Sequence, residues 1–222
     1  MNDTVSPEVL DDLVQIVTHR IASLTAGVEG YADVLVETLN TPEQRRLARH
    51  ILEGVARING VVEDLRFFVQ PIEPVVVPMR VSSLVTSALN ILSDSERARV
   101  TAPSRIAGRV VADPHLSRQA LHALLRNALD ASGSSGEVRL EVRREDDDFA
   151  VIRVWNSGRA LSRTEAARAV EPFYTTKAQN LGLGLPLARR MARAQGGDVD
   201  FEAVEAGTAV VFRLPRPVAL DA

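Results

Sequence analysis

Apolar residues in the first third of the chain recur at helical spacing. From Leu10 they run Leu10, Val14, Val17, Ile21, Leu24, Val28, Tyr31 and Leu35, in steps alternating between four and three, which is a heptad seam. Ser6-Pro7-Glu8 supplies a start with proline at the first helical position, and Asn40 marks the stop. Thr41-Pro42-Glu43-Gln44 then reads as a capping box, and a second seam runs Leu47, Ile51, Gly54, Ile58, Val61, Leu65 and Phe68. The pattern predicts a long helical hairpin. Two antiparallel helices cannot cover both apolar stripes, so two copies are expected to pair as a homodimer through a four-helix bundle. Pro71 to Pro78 (PIEPVVVP) holds three prolines without a helical period and reads as a linker or an entering edge strand. The expected division is a hairpin over 1–70, a linker over 71–80 and a second domain over 81–222.

After the linker the pattern becomes mixed. A helix is expected near Val81 to Ser93, with short strands around Arg99 and Val110. Asp113-Pro114 caps a helix through Ala131, and alternating strands follow at Val138 to Val142 and Ala150 to Trp155, joined by an acidic turn at Glu145 to Asp148. A helix from Arg163 to Val170, a helix from Leu185 to Ala194 closed by Gly196-Gly197, and a hairpin from Asp198 to Pro215 complete the chain. Helices and antiparallel hairpins mixed this unevenly predict an α+β arrangement, a two-layer α/β sandwich with helices on one face of a mixed sheet.

Composition narrows the chemistry. The 222 residues are 45% hydrophobic and 25% charged, which is globular rather than disordered or fibrous. No apolar run approaches the ~20 residues of a membrane span, and the acidic start is unlike a signal peptide, so a soluble cytoplasmic protein is expected. Zero cysteines exclude disulfides and thiol catalysis, and four scattered histidines argue against a histidine metal cage. A net charge of −3 argues against a nucleic-acid partner. A single lysine, Lys177, stands among 26 lysine and arginine residues. In a chain that otherwise uses arginine for every positive charge, that exception asks for a reason.

Heptad assignment puts His19 at position f, pointing away from the seam, where on position alone it reads as an ordinary surface histidine. The stretch His19 to Asp33 (HRIASLTAGVEGYAD) resembles, without a gap, the H-box of sensor histidine kinases, and the second helix with EDLRFF resembles the end of their dimerisation hairpin. The second domain is similar to the same family. His122 to Ala131 (HALLRNALDA) resembles the N-box, which implies that Asn127 reaches a magnesium ion bridging nucleotide phosphates. An uncharged carboxamide oxygen suits magnesium as one hard ligand among phosphates and waters. Asp130, one turn on, reads either as a second, water-mediated contact to that ion or as a solvated helix residue. Val154 to Leu161 (VWNSGRAL) resembles the G1 box, with Asn156 as the adenine acceptor where the family has aspartate, and with Gly158 keeping the backbone close. Glu171 to Lys177 (EPFYTTK) resembles the F-box of the nitrogen-regulator-like branch and implies nucleotide contacts from Phe173, Thr176 and Lys177. A compact ammonium suits a phosphate point contact. Leu181 to Leu185 (LGLGL) resembles the G2 box, in which Gly182, Leu183, Gly184 and the following helix N-terminus cradle phosphates, with Asn180 in place of the family's leading glycine. Gly207 to Pro215 (GTAVVFRLP) resembles the closing strand, with Thr208 near the adenine.

The resemblance covers nearly the whole chain and implies a phosphotransfer bundle followed by a Bergerat-type (GHKL) ATP-binding domain. It implies a protein-histidine kinase that autophosphorylates on His19 with ATP and Mg2+, passes the phosphoryl group to a response regulator aspartate, and takes its input from a separate sensor or regulatory protein. Three further positions, all in the first helix, depart from the family. Arg20 replaces the acidic residue that follows the phosphoacceptor; it cannot act as a base, though it can stabilise phosphoryl charge. Leu24 replaces the kinking proline. Ser23 stands where the family's phosphatase residue lies, and reads equally as a water-orienting hydroxyl or as a surface serine. The competing reading is therefore a catalytically weak or inactive phosphorelay, phosphatase or nucleotide-sensing scaffold that docks response regulators. An ATP-driven chaperone or topoisomerase-like ATPase is disfavoured by the H-box hairpin.

Overall fold

The structure, a computed structural model, describes residues 7–39, 41–144, 148–175 and 181–217. It divides after Pro71 into two compact units.

The first unit is a hairpin of α1 (Pro7–Thr38) and α2 (Pro42–Val69). Thr41 caps α2 by accepting from the Gln44 N–H, with Pro42 in the first turn where no N–H is needed. The line along which the two helices meet differs from the sequence seam. Buried positions are Thr18, Thr25 and Ala32 on α1 and Ala48, Val55 and Val62 on α2, each one residue after a seam position and spaced by seven. Small side chains there let the backbones approach. Inside this line the Thr25 hydroxyl donates to Asn59 Oδ1 (2.5 Å). The larger seam residues are left on one flank, Leu24 at 73% exposure and Tyr31 at 77%, with Val17, Val28, Leu35, Leu47, Ile51 and Ile58 also exposed.

The second unit has two layers. Its five-stranded sheet has the order β2 (Val100–Thr101), β4 (Val138–Arg144), β5 (Phe149–Asn156), β7 (Thr208–Pro215), β6 (Asp198–Glu202). The β2–β4 pair is parallel and the rest antiparallel. A separate ribbon pairs β1 (Val77–Arg80) with β3 (Arg109–Ala112). Helices α3 (Val81–Leu89), α5 (Pro114–Ala131) and α7 (Gly184–Ala194) supply the second layer, with the short α4 (Asp94–Arg97) and α6 (Arg163–Ala169) in the connections. The core joins Leu84 and Val85 of α3, Leu121, Leu124 and Leu125 of α5 and Leu187 and Ala188 of α7 to Leu140, Ile152, Val154 and Phe212 of the sheet. Truncating the fully buried Phe212 to alanine would cost about 3–5 kcal/mol. The opposite sheet face is polar. There Arg153 sits between Glu141 (3.3 Å) and Glu202 (3.1 Å).

The helix expected to run to Ser93 stops at Leu89, because Ser93 and Glu96 form a capping box that starts α4 instead. Of the acidic turn, residues 145–147 lie outside those described. Among the described residues no helix is long and apolar enough to cross a membrane.

Candidate functional site

Two helices and two strand ends build the site, and a buried hub aligns the helices. Asp113 is the N-cap of α5, its carboxylate accepting from His115 N–H (2.8 Å) and Leu116 N–H (3.0 Å). The same carboxylate accepts from Val75 N–H (2.8 Å), which ties the entering chain to the helix start. Burial pushes the Asp113 carboxyl up, but the N–H donors of Leu116, Val75 and His115 outweigh it and hold the group below its ordinary value. Gln195, just past α7, accepts from Asp113 N–H (2.8 Å) and Ser117 Oγ (3.1 Å) and donates to Met191 O (3.0 Å). The C-terminal end of α7 is thereby fixed at the N-terminal end of α5. The helices run antiparallel, and eleven residues of α7 at 1.5 Å each bring Gly184 back level with the second half of α5, where Asn127 and Asp130 lie.

The far end of α5 is clamped by Arg99, which donates to Leu129 O (3.2 Å), Ser132 Oγ (3.0 Å) and Gly136 O (3.3 Å), and also bonds the Gly133 carbonyl. A guanidinium over terminal helix carbonyls opposes their unsatisfied partial charge. Against this end packs the turn after β5. A Cβ on Gly158 would lie 2.4 Å from the Ala131 carbonyl oxygen, so only glycine fits there. Ser157 staples the turn to Glu137, its N–H donating to Glu137 O (3.0 Å) and its Oγ accepting from Glu137 N–H (2.9 Å).

Strand register brings the two expected adenine residues together. Asn156 ends β5 directly opposite Thr208, which begins β7. Asn156 is 3% exposed, and its amide donates to Thr208 O (3.3 Å) and accepts from Gly158 N–H (3.0 Å). One lone pair of the carboxamide oxygen is thus used, and the second has no partner among the described residues. The Thr208 hydroxyl donates to Arg159 O (2.8 Å), holding the loop after Gly158 to the sheet. Gly207, at φ +77, permits the same approach from the other side.

Beyond that loop, Ser162 and Glu165 cap α6, and Arg159 pairs with Glu165 (2.8 Å). The Arg159 hydrogen bond, with those from Ser162, lowers the Glu165 carboxyl to about 2. Arg168 lies 4.3 Å from the centre of the Tyr174 ring. Phe173 takes φ +65 and is exposed. Gly182 at φ +69 presses on the Tyr174 backbone, a Cβ there lying 2.4 Å from Tyr174 O. Tyr174 and Gly182 are therefore in close backbone contact; Thr176, Lys177 and Asn180 lie outside the described residues. Leu183 is buried in the core and supplies no capping side chain to α7, so among the described residues the N–H groups of Gly184 and Leu185 open the helix without a side-chain partner.

Asn127, Asp130, Asn156, Gly158, Thr208, Gly182 and Gly184 thus collect at one end of the α5/α7 layer. His19, Arg20 and Ser23 belong to the other unit, all three exposed on α1. Gln195, Arg99 and the Tyr174–Gly182 contact were not singled out from sequence. Gln195 stands immediately before Gly196-Gly197, where it reads as an ordinary helix end.

Residues 112–218 match the model of the family described as histidine kinase-, DNA gyrase B-, and HSP90-like ATPase. The chain is 29% identical over 210 residues to the sensor histidine kinase ZraS of Salmonella typhimurium (strain LT2), covering 91% of this chain and 44% of that protein. Along nearly its whole length the chain is similar to a histidine kinase catalytic core. Solved structures share its fold. Full-length ShkA in complex with AMPPNP aligns with a TM-score of 0.75 at 24% identity, over 96% of this chain and 46% of that one. The histidine kinase ThkA in complex with the response regulator protein TrrA aligns at 0.65 and 21% identity, over 94% and 62%. The chain spans less than half the length of the curated relatives it matches. ATP binding belongs to this core. For magnesium the donor set is suitable: Asn127 offers a neutral oxygen, and no cluster of three His, Asp or Glu among the described residues forms a protein cage. A hard cation held mainly by phosphates and water asks for little more.

Proposed function

We propose that the chain autophosphorylates on His19 with Mg-ATP and passes the phosphoryl group to an aspartate of a response regulator. The observation that carries this reading is the convergence of Asn127, Asn156, Thr208, Gly182 and Gly184 at one end of α5 and α7. In it the free lone pair of Asn156 receives the adenine amino group, and the Gly184 and Leu185 amides at the head of α7 face the phosphates. Lys177 supplies a point charge to the phosphate chain. Asn127 is the magnesium ligand, with Asp130 acting through water; magnesium neutralises phosphate charge when bound. A neutral imidazole nitrogen of His19 attacks the γ-phosphorus, a P–N bond forms, the P–O bond to ADP breaks, and the ring proton leaves to solvent. The guanidinium of Arg20, beside His19, steadies the arriving phosphoryl group, and Ser23, one turn on, orients water for dephosphorylation. The exposed flank of Leu24 and Tyr31 supports a homodimer through the hairpin. ThkA's complex with TrrA supports a response regulator as partner. The proposed compartment is the cytoplasm, where ATP is supplied.

A second reading rests on Arg20. With no carboxylate after His19 to take the ring proton, the bundle serves as a phosphorelay or phosphatase and the ATP domain senses nucleotide. Incubation with γ-labelled ATP and magnesium separates the two. Acid-labile label on the wild type that is lost in His19→Ala and raised in Arg20→Glu is expected. Measurable ATP binding without label would overturn the kinase reading in favour of the relay.

A further inference from the structure

A cavity among the described residues lies away from the nucleotide site, at the open edge of β4. It encloses about 680 Å3, within the roughly 300–1,000 Å3 of ligand pockets, between β4 and the loop of residues 102–108. The hydrogen-bond parity of β4 is set at its start. Val138 N–H donates to Arg99 O on the β2 side (3.1 Å), whereas Glu137 O accepts from Ser157 N–H on the β5 side (3.0 Å). Backbone groups alternate sides along an antiparallel strand, so Val142 also turns its N–H and C=O to the β2 side. β2, however, ends at Thr101, opposite Arg139. Among the described residues no strand pairs with that side of β4 beyond Arg139, and Val142 lines the cavity.

The side chains around this edge are sorted by face. Leu140, Val142 and Ala150, with Ile106 of the loop, give an apolar inner wall. Arg139 and Arg143 flank Glu141 on the outer face, and Arg105 and Arg216 complete the rim, so four arginines stand against one glutamate. Arg139 pairs with Glu137 and Arg143 with Glu202. Arg105 is exposed and makes no ion pair among the described residues.

We infer that this edge receives an extended segment of a partner protein in which apolar and acidic residues alternate, added as a strand beside β4. Main-chain bonds to Val142 give the segment its register, the apolar side chains fall on the Leu140 and Val142 side, and the acidic ones fall beside Arg139, Arg143 and Arg105. The competing account is that the arginines only guard an open edge against unwanted pairing.

The test uses the full chain and the labelled peptide acetyl-Val-Glu-Val-Glu-Val-Glu-amide, followed by fluorescence anisotropy and by amide hydrogen exchange of residues 140–143. The expected result is saturable binding, slowed exchange at Val142, and about three- to fivefold weaker affinity in Arg105→Glu, a loop variant whose backbone demands are unchanged. Absence of binding, equal affinity for the peptide with lysine in place of glutamate, unchanged affinity in Arg105→Glu, or free glutamate competing as well as the peptide would each overturn the proposal.

Discussion

Replacing Gln195 by methionine tests whether the hydrogen bonds at the α5/α7 hub hold the site together. Methionine is unbranched and of similar volume, so little cavity is created and the loss reports on orphaned partners. Two buried groups lose their acceptor, the Asp113 N–H at 2.8 Å and the Ser117 hydroxyl at 3.1 Å. Each orphaned group costs roughly 1–3 kcal/mol. The serine can recover part of its loss by turning to the carbonyl four residues back, the bond open to any helical serine. The net cost is then about 2–3 kcal/mol, most of it from the Asp113 N–H. With a urea m-value of about 2 kcal/mol/M, the unfolding midpoint should fall by about 1–1.5 M. Trp155, the single tryptophan, lies on β5, so its fluorescence follows this unit alone. Affinity for a fluorescent ATP analogue should fall as well, because the level of Gly184 against Asn127 depends on the same bonds. A midpoint shift under about 0.3 M, with unchanged nucleotide affinity, would refute the hub.

Four further outcomes are expected. Gly158→Ala forces a methyl to 2.4 Å from the Ala131 carbonyl and should cost about 1–3 kcal/mol by the same urea assay, with weaker nucleotide binding; a neutral result would mean that the turn after β5 can move freely. Burial pushes Asp198 up, but hydrogen bonds from Arg193 (3.0 Å) and Arg189 (3.0 Å) and from its own strand lower its carboxyl to about 2. A depressed carboxylate stabilises the fold above its unfolded value and loses that contribution as pH falls from about 4 towards 2, by about 1 kcal/mol after solvent screening. Asp198→Asn should flatten that part of the stability profile, and an unchanged profile would remove Asp198 as its source. Leu24→Glu should turn a dimer into a monomer in light scattering, and a dimer that persists would place the partner face elsewhere. Lys177→Arg keeps the charge but should weaken ATP binding or labelling with the fold intact; unchanged values would make the lone lysine an accident of composition.

Elements announced by their ends were legible in the sequence. Asp113-Pro114 is both cap and first helical residue, and α5 runs Pro114–Ala131 as expected. The mixed sheet with helices on one face followed from alternating strands between helical periods. The break after α3 was missed because a capping box inside a helical pattern looks like more helix until Ser93 and Glu96 are paired. Along the hairpin, periodicity counts large apolar residues and passes over Thr18, Thr25 and Ala32, whose smallness makes them the contact line. The site divided in the same way. Asn127, Asn156, Gly158 and Thr208 are candidates read from local motifs, but what positions them comes from residues far apart in sequence. Arg99 reaches the end of α5 and Gln195 reaches its start, and neither carries a local signature.

Asp113 also has a mechanical meaning. Its carboxylate is bonded both to the chain entering the second unit, at Val75, and to the first turn of α5, while its N–H leads to Gln195 and α7. α5 is thereby held at both ends, at its start through Asp113 and at its finish through Arg99, with Asn127 about 21 Å from Asp113, fourteen residues at 1.5 Å. Leu121, Leu124 and Leu125 are packed into the core between these two anchors. Tension in the entering chain is therefore borne by the first turn of α5 and, through Gln195, by the end of α7, while Asn127 keeps its place.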